Sequence, residues 1–137
     1  MPKEVFILDS NIWISYVITR RLSTLVTLIH NHQVTILTSR PLVDEIHGVL
    51  SRPKFRKFIK PADIKEVISL HLKLCRFVVT DETLYPLTDV KDNFLLNLYN
   101  SGQDTVLVSG DKKLLLEASD LNYRVMTLRE FELLFSY

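Results

Sequence analysis

Short apolar runs punctuate the chain, and helical patterning fills the gaps between them. Val5-Phe6-Ile7-Leu8 is too short for a helix and partly β-prone, so it reads as a strand. Val34-Thr35-Ile36-Leu37, Arg76-Phe77-Val78-Val79, Thr105-Val106-Leu107-Val108 and Tyr123-Arg124-Val125-Met126 read the same way. Helical segments are expected from about Asn11, from Leu22 to about His30, from Arg40-Pro41 to about Leu50, and from Pro61 to about Leu74. Pro41 suits the first turn of its helix. A looser stretch from Asp81 to Asp89 precedes a helix from Asn93 to about Asn100, and the turn Ser109-Gly110-Asp111 leads into a short one. Thr127-Leu128-Arg129-Glu130 is a capping box that opens the last helix.

Strands alternating with helices imply parallel pairing through right-handed crossovers, hence an α/β sandwich around about five strands. The strands are apolar on both faces, as strands covered on both sides should be. No linker, repeat or low-complexity stretch interrupts the pattern, and 137 residues suit one domain, 1–137.

Composition narrows the classes. Hydrophobic residues at 47% and charged ones at 24% exclude a disordered tail, and Gly 3 with Pro 5 excludes collagen-like and linker-like chains. The single cysteine, Cys75, cannot form an intrachain disulfide; placed where a helix gives way to a strand, it reads as core rather than nucleophile. No apolar run approaches the ~20 residues of a membrane helix. The start, Met1 to Asp9, lacks a signal peptide's apolar segment, so the expected address is cytoplasmic. A formal net charge of +1 neither announces nor excludes a nucleic-acid partner, because a local patch suffices. A domain of this size folds without a metal staple, so any metal site is a functional one.

The chemistry lies in acids just past the strands. In open α/β sheets, ligands bind outside the strands' carboxyl ends. Asp9 follows the first strand and Asp111 the fourth; Asp92 opens the helix that feeds the fourth strand, on the same side. On the helix from Pro41, the residues Leu42, Val43, Ile46, Val49 and Leu50 form one apolar arc. Asp44 falls opposite that arc and Glu45 just outside its edge, with His47 equally near the other edge. Taken singly, Asp9, Asp92 and Asp111 are ordinary N-cap candidates and Glu45 an ordinary surface residue. Converging, they repel one another unless a cation sits among them. Carboxylate and water ligands suit hard divalent cations, above all Mg²⁺ or Mn²⁺.

Leu8-Asp9-Ser10-Asn11-Ile12-Trp13-Ile14-Ser15 resembles the opening motif of PIN-domain nucleases. Glu45, in Leu42-Val43-Asp44-Glu45-Ile46, sits where that family has its helical acid. Asp89-Val90-Lys91-Asp92-Asn93 and Val108-Ser109-Gly110-Asp111-Lys112-Lys113-Leu114 resemble its last two acidic motifs. The resemblance runs in order over nearly the whole chain. It is nearest to small single-domain prokaryotic PIN proteins regarded as toxins of toxin–antitoxin pairs. It implies a three-layer α/β/α domain with a central parallel sheet, and hydrolysis of phosphodiester bonds, usually in RNA, with Mg²⁺ or Mn²⁺. It makes Asp9, Glu45, Asp92 and Asp111 the catalytic metal carriers, with Asp89 competing as third acid. Ser10, Asn11 and Ser109 would orient ligands or the substrate phosphate through hydrogen bonds, and Lys112 beside Lys113 would contact phosphate. An antitoxin protein and a homodimer are the partners it suggests.

Other chemistries find less support. His30, His32, His47 and His71 form no zinc pattern, and there is neither a nucleophile elbow nor a Gly-rich phosphate loop. A haloacid-type phosphatase would want a second Asp where Asn11 stands, and a receiver domain would want its central Asp earlier than Asp111. The rival from a different class is a non-catalytic PIN-like domain that only binds nucleic acid or a partner. Arg52, Lys54, Arg56, Lys57 and Lys60 make the densest basic cluster, read equally as a phosphate contact or a solvated face. Within it Phe55, Phe58 and Arg56 suggest an interface core rimmed by lysines, or else aromatics that cover the domain's own core.

Overall fold

A computed structural model describes residues 4–136. Five strands form one all-parallel sheet in the order β3-β2-β1-β4-β5: β1 Val5–Leu8, β2 Thr35–Thr38, β3 Arg76–Phe77, β4 Thr105–Val108 and β5 Val125–Met126. Seven α-helices connect them among the described residues: α1 Ser10–Ile18, α2 Leu22–His32, α3 Arg40–Leu50, α4 Pro61–Leu74, α5 Asn93–Asn100, α6 Lys112–Asp120 and α7 Leu128–Leu134. The architecture is the three-layer α/β/α sandwich. No single helix among the described residues is long and apolar enough to cross a membrane.

The middle of the sheet is the driest part. β1 pairs in register with β4 from Val5–Thr105 to Leu8–Val108, and all four β4 residues are buried. Phe6 meets the edge of Phe131 on α7, ring centroids 5.0 Å apart, which fixes one covering helix. α1 packs on α2 and α3, and α3 on α4 and α5.

The outer strands are shorter than the sequence pattern suggests. β3 stops at Phe77, and both its residues are exposed, so burial on both faces holds for the inner strands only. The Val78 N–H still reaches the Thr38 carbonyl at 2.9 Å before the chain turns away. β5 begins at Val125, because the Tyr123 N–H is spent on the Ala118 carbonyl at 3.0 Å in closing α6. β2 is displaced by one residue, to Thr35–Thr38.

His71 ties α4 into this core. It is buried, its Nε2 lies 2.7 Å from the Thr38 hydroxyl, and its ring meets Trp13 edge-on at 4.3 Å. Burial pushes its pKa from 6.5 down to about 4. The unfolded chain therefore binds the extra proton between those values, and His71 contributes stability that is complete above pH 6.5 and lost as pH falls toward 4. Chemical denaturation at several pH values should show wild type losing up to about 3 kcal/mol relative to His71→Gln over that window. A difference that stays constant with pH would mean a solvated ring.

Candidate active site

Asp9 stands where the two innermost strands end. Its backbone N–H continues the ladder to the Val108 carbonyl at 2.9 Å, so its side chain is set down between the β1–α1 and β4–α6 turns. Here the sheet order reverses, the usual crevice for a ligand. Only 4% of Asp9 is exposed. Its Oδ1 caps α1 by accepting from the Ser10 N–H at 2.7 Å, with the Ser10 hydroxyl more distant at 3.5 Å. Its Oδ2 accepts from the Ser109 hydroxyl at 2.8 Å and from Asn11 Nδ2 at 3.2 Å. Ser109 Oγ in turn accepts the Asp111 N–H at 3.0 Å, and Asn11 Oδ1 accepts the Gly110 N–H at 2.9 Å. The network stitches the two turns together. Burial outweighs these donors and raises the Asp9 pKa; Ser109 and Ser10 lower it, while the charges of Glu45 and Asp111 raise it further.

The other acids come from three separate elements, near enough for their charges to act on Asp9 or Asp92. Asp44 is exposed and pairs with Arg40 at 3.2 Å, whereas Glu45 on the same helix is half-buried. Asp92 ends a 3-10 turn, Val90–Asp92, directly before α5. Its helical backbone, φ −80° and ψ −6°, denies it the capping geometry, and it makes no cap bond. The side chains of Glu45 and Asp92 accept no hydrogen bond and form no ion pair among the described residues. Burial pushes the Asp92 pKa up to about 7, with Asp9, Asp89, Asp111 and Glu45 adding repulsion. Asp111 does cap its helix, accepting from the Lys113 and Leu114 N–H groups at 3.1 and 3.2 Å through Oδ1 alone. Asp89 is exposed and caps the 3-10 turn through the Lys91 N–H at 3.0 Å. Its charge bears on Asp92. Asp92 is itself acted on by Asp9, Asp111 and Glu45, which favours it as the third acid.

A cavity of about 400 Å³ opens here, lined by Asp89, Asp92, Asp111, Thr88, Lys113, Leu114 and Glu117. Asp9 and Glu45 do not line it, so the acids do not share one open pocket. Ser109 is fully buried and Ser10 nearly so, and both donate to Asp9, so of the two expected roles the geometry shows the orienting of that carboxylate. Asn11 is exposed, but both ends of its amide are engaged in the stitch between the turns. The lysine in the cavity wall is Lys113, not Lys112. Glu117 also lines the cavity, although the strand-end pattern does not single it out. Its two oxygens accept from the Thr88 N–H at 2.7 Å and the Thr88 hydroxyl at 2.8 Å, fastening the segment ahead of Asp89. The legible signal was its spacing, four residues after Lys113 on one helical face.

Among the described residues, no three His, Cys, Asp or Glu side chains close around one point as metal ligands. The donor set is nonetheless that of a hard, hydrated cation. Mg²⁺ keeps several waters and takes one or two carboxylates directly. Glu45, Asp92 and the free Oδ2 of Asp111 have uncommitted oxygens for that.

The family model of the PIN domain matches residues 5–113, from the first residue of β1 to the first turn of α6. That span contains Asp9, Glu45, Asp92 and Asp111. No curated protein matches the chain. PIN domains are generally nucleases and typically use divalent metal ions. With the parallel sheet, the acids at its carboxyl edge and a match over most of the sequence, the chain belongs to the PIN-domain family.

Proposed function

We propose that this chain is a Mg²⁺- or Mn²⁺-dependent endoribonuclease, acting as the toxin of a toxin–antitoxin pair in the cytoplasm. The observation that carries the nuclease reading is Asp92: a half-buried carboxylate with no hydrogen bond, acted on by the charges of four other acids. A fold gains nothing from that arrangement unless a cation relieves it. Asp9, Glu45, Asp92 and Asp111 would hold the ion. When bound, a divalent metal supplies Lewis-acid polarisation of the phosphate and lowers the pKa of attached water. Ser109 and Asn11 keep the Asp9 carboxylate in one orientation through their bonds to Oδ2. Lys113, on the cavity wall, offers a cation to a substrate phosphate. RNA as the substrate class follows from the family resemblance.

Purified protein with labelled single-stranded RNA should cleave in Mn²⁺ or Mg²⁺ and stop in EDTA. Asp92→Asn should lower the rate by about 100-fold or more, while Asp44→Asn, altering the outward neighbour of Glu45, should leave it unchanged. Cleavage that persists in EDTA would sink the metal-dependent reading. Faithful RNA binding without any cleavage would move the chain to the non-catalytic alternative.

The basic segment is the place for a second copy in this reading. Phe55 packs against the core and Ile59 is buried, so one aromatic serves the domain itself. Phe58 is 41% exposed, with the Lys57 ammonium 5.1 Å from its ring centroid. The expected contact therefore narrows to Phe58 and Arg56. Sedimentation at tens of micromolar should find a dimer for wild type and a folded monomer for Phe58→Glu. A monomeric wild type would remove the homodimer.

A further inference from the structure

A second cavity, of about 440 Å³, lies against the N-terminus of α3, the segment after β3 and the start of α5. That size is within the roughly 300–1,000 Å³ of small-molecule sites. Phe77, Val79, Leu84 and Val90 line it, and all four are among the exposed large hydrophobic residues, Val79 at 90%. Phe94 adds a second aromatic ring. Apolar residues gathered around a concavity mark a binding site, unlike single ones scattered over a surface.

The wall is built rather than loose. The Asn97 side chain accepts the Thr83 N–H at 3.2 Å and donates to the Thr83 carbonyl at 2.8 Å, and Asn93 accepts the Tyr85 N–H. These two buried amides hold the segment after β3 in place. One polar group in the lining residues is unsatisfied. Ser39, 1% exposed, has a hydroxyl that neither caps α3 nor meets any other partner. That oxygen is itself closed off from the cavity, so the polar groups a ligand meets here are those of Thr80, Asp81, Glu82 and Lys91. Arg40 is engaged by Asp44, and Lys91 stands beside Asp81 and Glu82, so no excess of positive charge is gathered here for a phosphate. The ligand is therefore apolar on its faces and polar at its edge, rather than a free phosphate.

The turn 89–92 divides this cavity from the acidic one. It contributes Val90 and Lys91 to this side, and Asp89 and Asp92 to the other. Ser39 also opens the helix that carries Glu45. We infer that the cavity takes an unstacked nucleobase of single-stranded RNA, next to the nucleotide whose phosphate meets the acids. The inference rests on the ribonuclease reading above. Stacking on an aromatic ring is tolerant of base identity, and a base held in a duplex cannot enter. The site thus selects strandedness more than sequence.

The test uses a short single-stranded RNA with one abasic residue moved along it. In wild type, one position should lower kcat/KM by about tenfold, mainly through KM. Val79→Asp, a change at an exposed residue that the fold tolerates, should lower kcat/KM for the intact strand by a similar factor. It should also erase the abasic effect. No sensitive position, or full sensitivity retained in Val79→Asp, overturns the inference and leaves the cavity to a protein segment. If wild type cleaves no strand with either metal, the ribonuclease reading fails separately. Fluorescence anisotropy with the same strands then decides the base site: the same pattern in Kd supports it, and its absence overturns it.

Discussion

A carboxylate buried at the end of the innermost strand is the constraint from which the rest of the site follows. Asp9 cannot move away from the sheet, because its own N–H is part of the ladder to β4. It cannot be solvated, because only 4% of it is exposed. Its compensation is local: Ser10, Asn11 and Ser109 all donate to it, and the last two also bind the turn that carries Asp111. Those bonds lower the cost of burial without removing it, and the Asp9 pKa stays raised. The chain then brings further negative charge toward the same point, where neutralisation by water is restricted. Such an arrangement folds with its negative charge only partly compensated.

Structural and chemical duties are divided among the acids by backbone geometry. Asp9 and Asp111 both cap helices, so part of each carboxylate is engaged by the fold itself. Asp92 occupies the same position in sequence terms, one residue before a helix, yet a preceding 3-10 turn leaves it with helical φ and ψ. Capping passes to Asp89 instead. Asp92 is thereby left without a cap bond, and burial, with repulsion from Asp9 and the other acids, pushes its pKa up to about 7. The neighbouring turn residues Val90 and Lys91 face a different, apolar cavity. A three-residue turn thus sets both the free acid and the wall beside it.

The inner half of the fold was legible because its residues answer to one demand. β1 and β4 are buried on both faces, and their apolar runs have the same limits in sequence and in structure. Glu45 and Asp44 were separable on a helical wheel, since α3 buries one clear face. The edges were less legible, because an edge strand ends where its one neighbour stops or where a helix closure takes its N–H, as at Tyr123. Burial of Ser109 and the engagement of Asn11 depend on contacts across about a hundred positions, which no local pattern encodes. The same holds for the apolar cavity, whose walls meet only after the chain has crossed from β2 to β3 and back to α5.

In the proposed reading Asp9, Glu45, Asp92 and Asp111 together hold hydrated divalent metal. Titrating Mn²⁺ into the protein while following free Mn²⁺ by electron paramagnetic resonance tests it without reference to any substrate. Wild type should deplete the free signal at a defined site, Glu45→Gln and Asp92→Asn should each weaken that binding by about tenfold or more, and Asp44→Asn should not. Binding of equal strength in wild type, Glu45→Gln and Asp92→Asn would place the ion elsewhere and contradict the account.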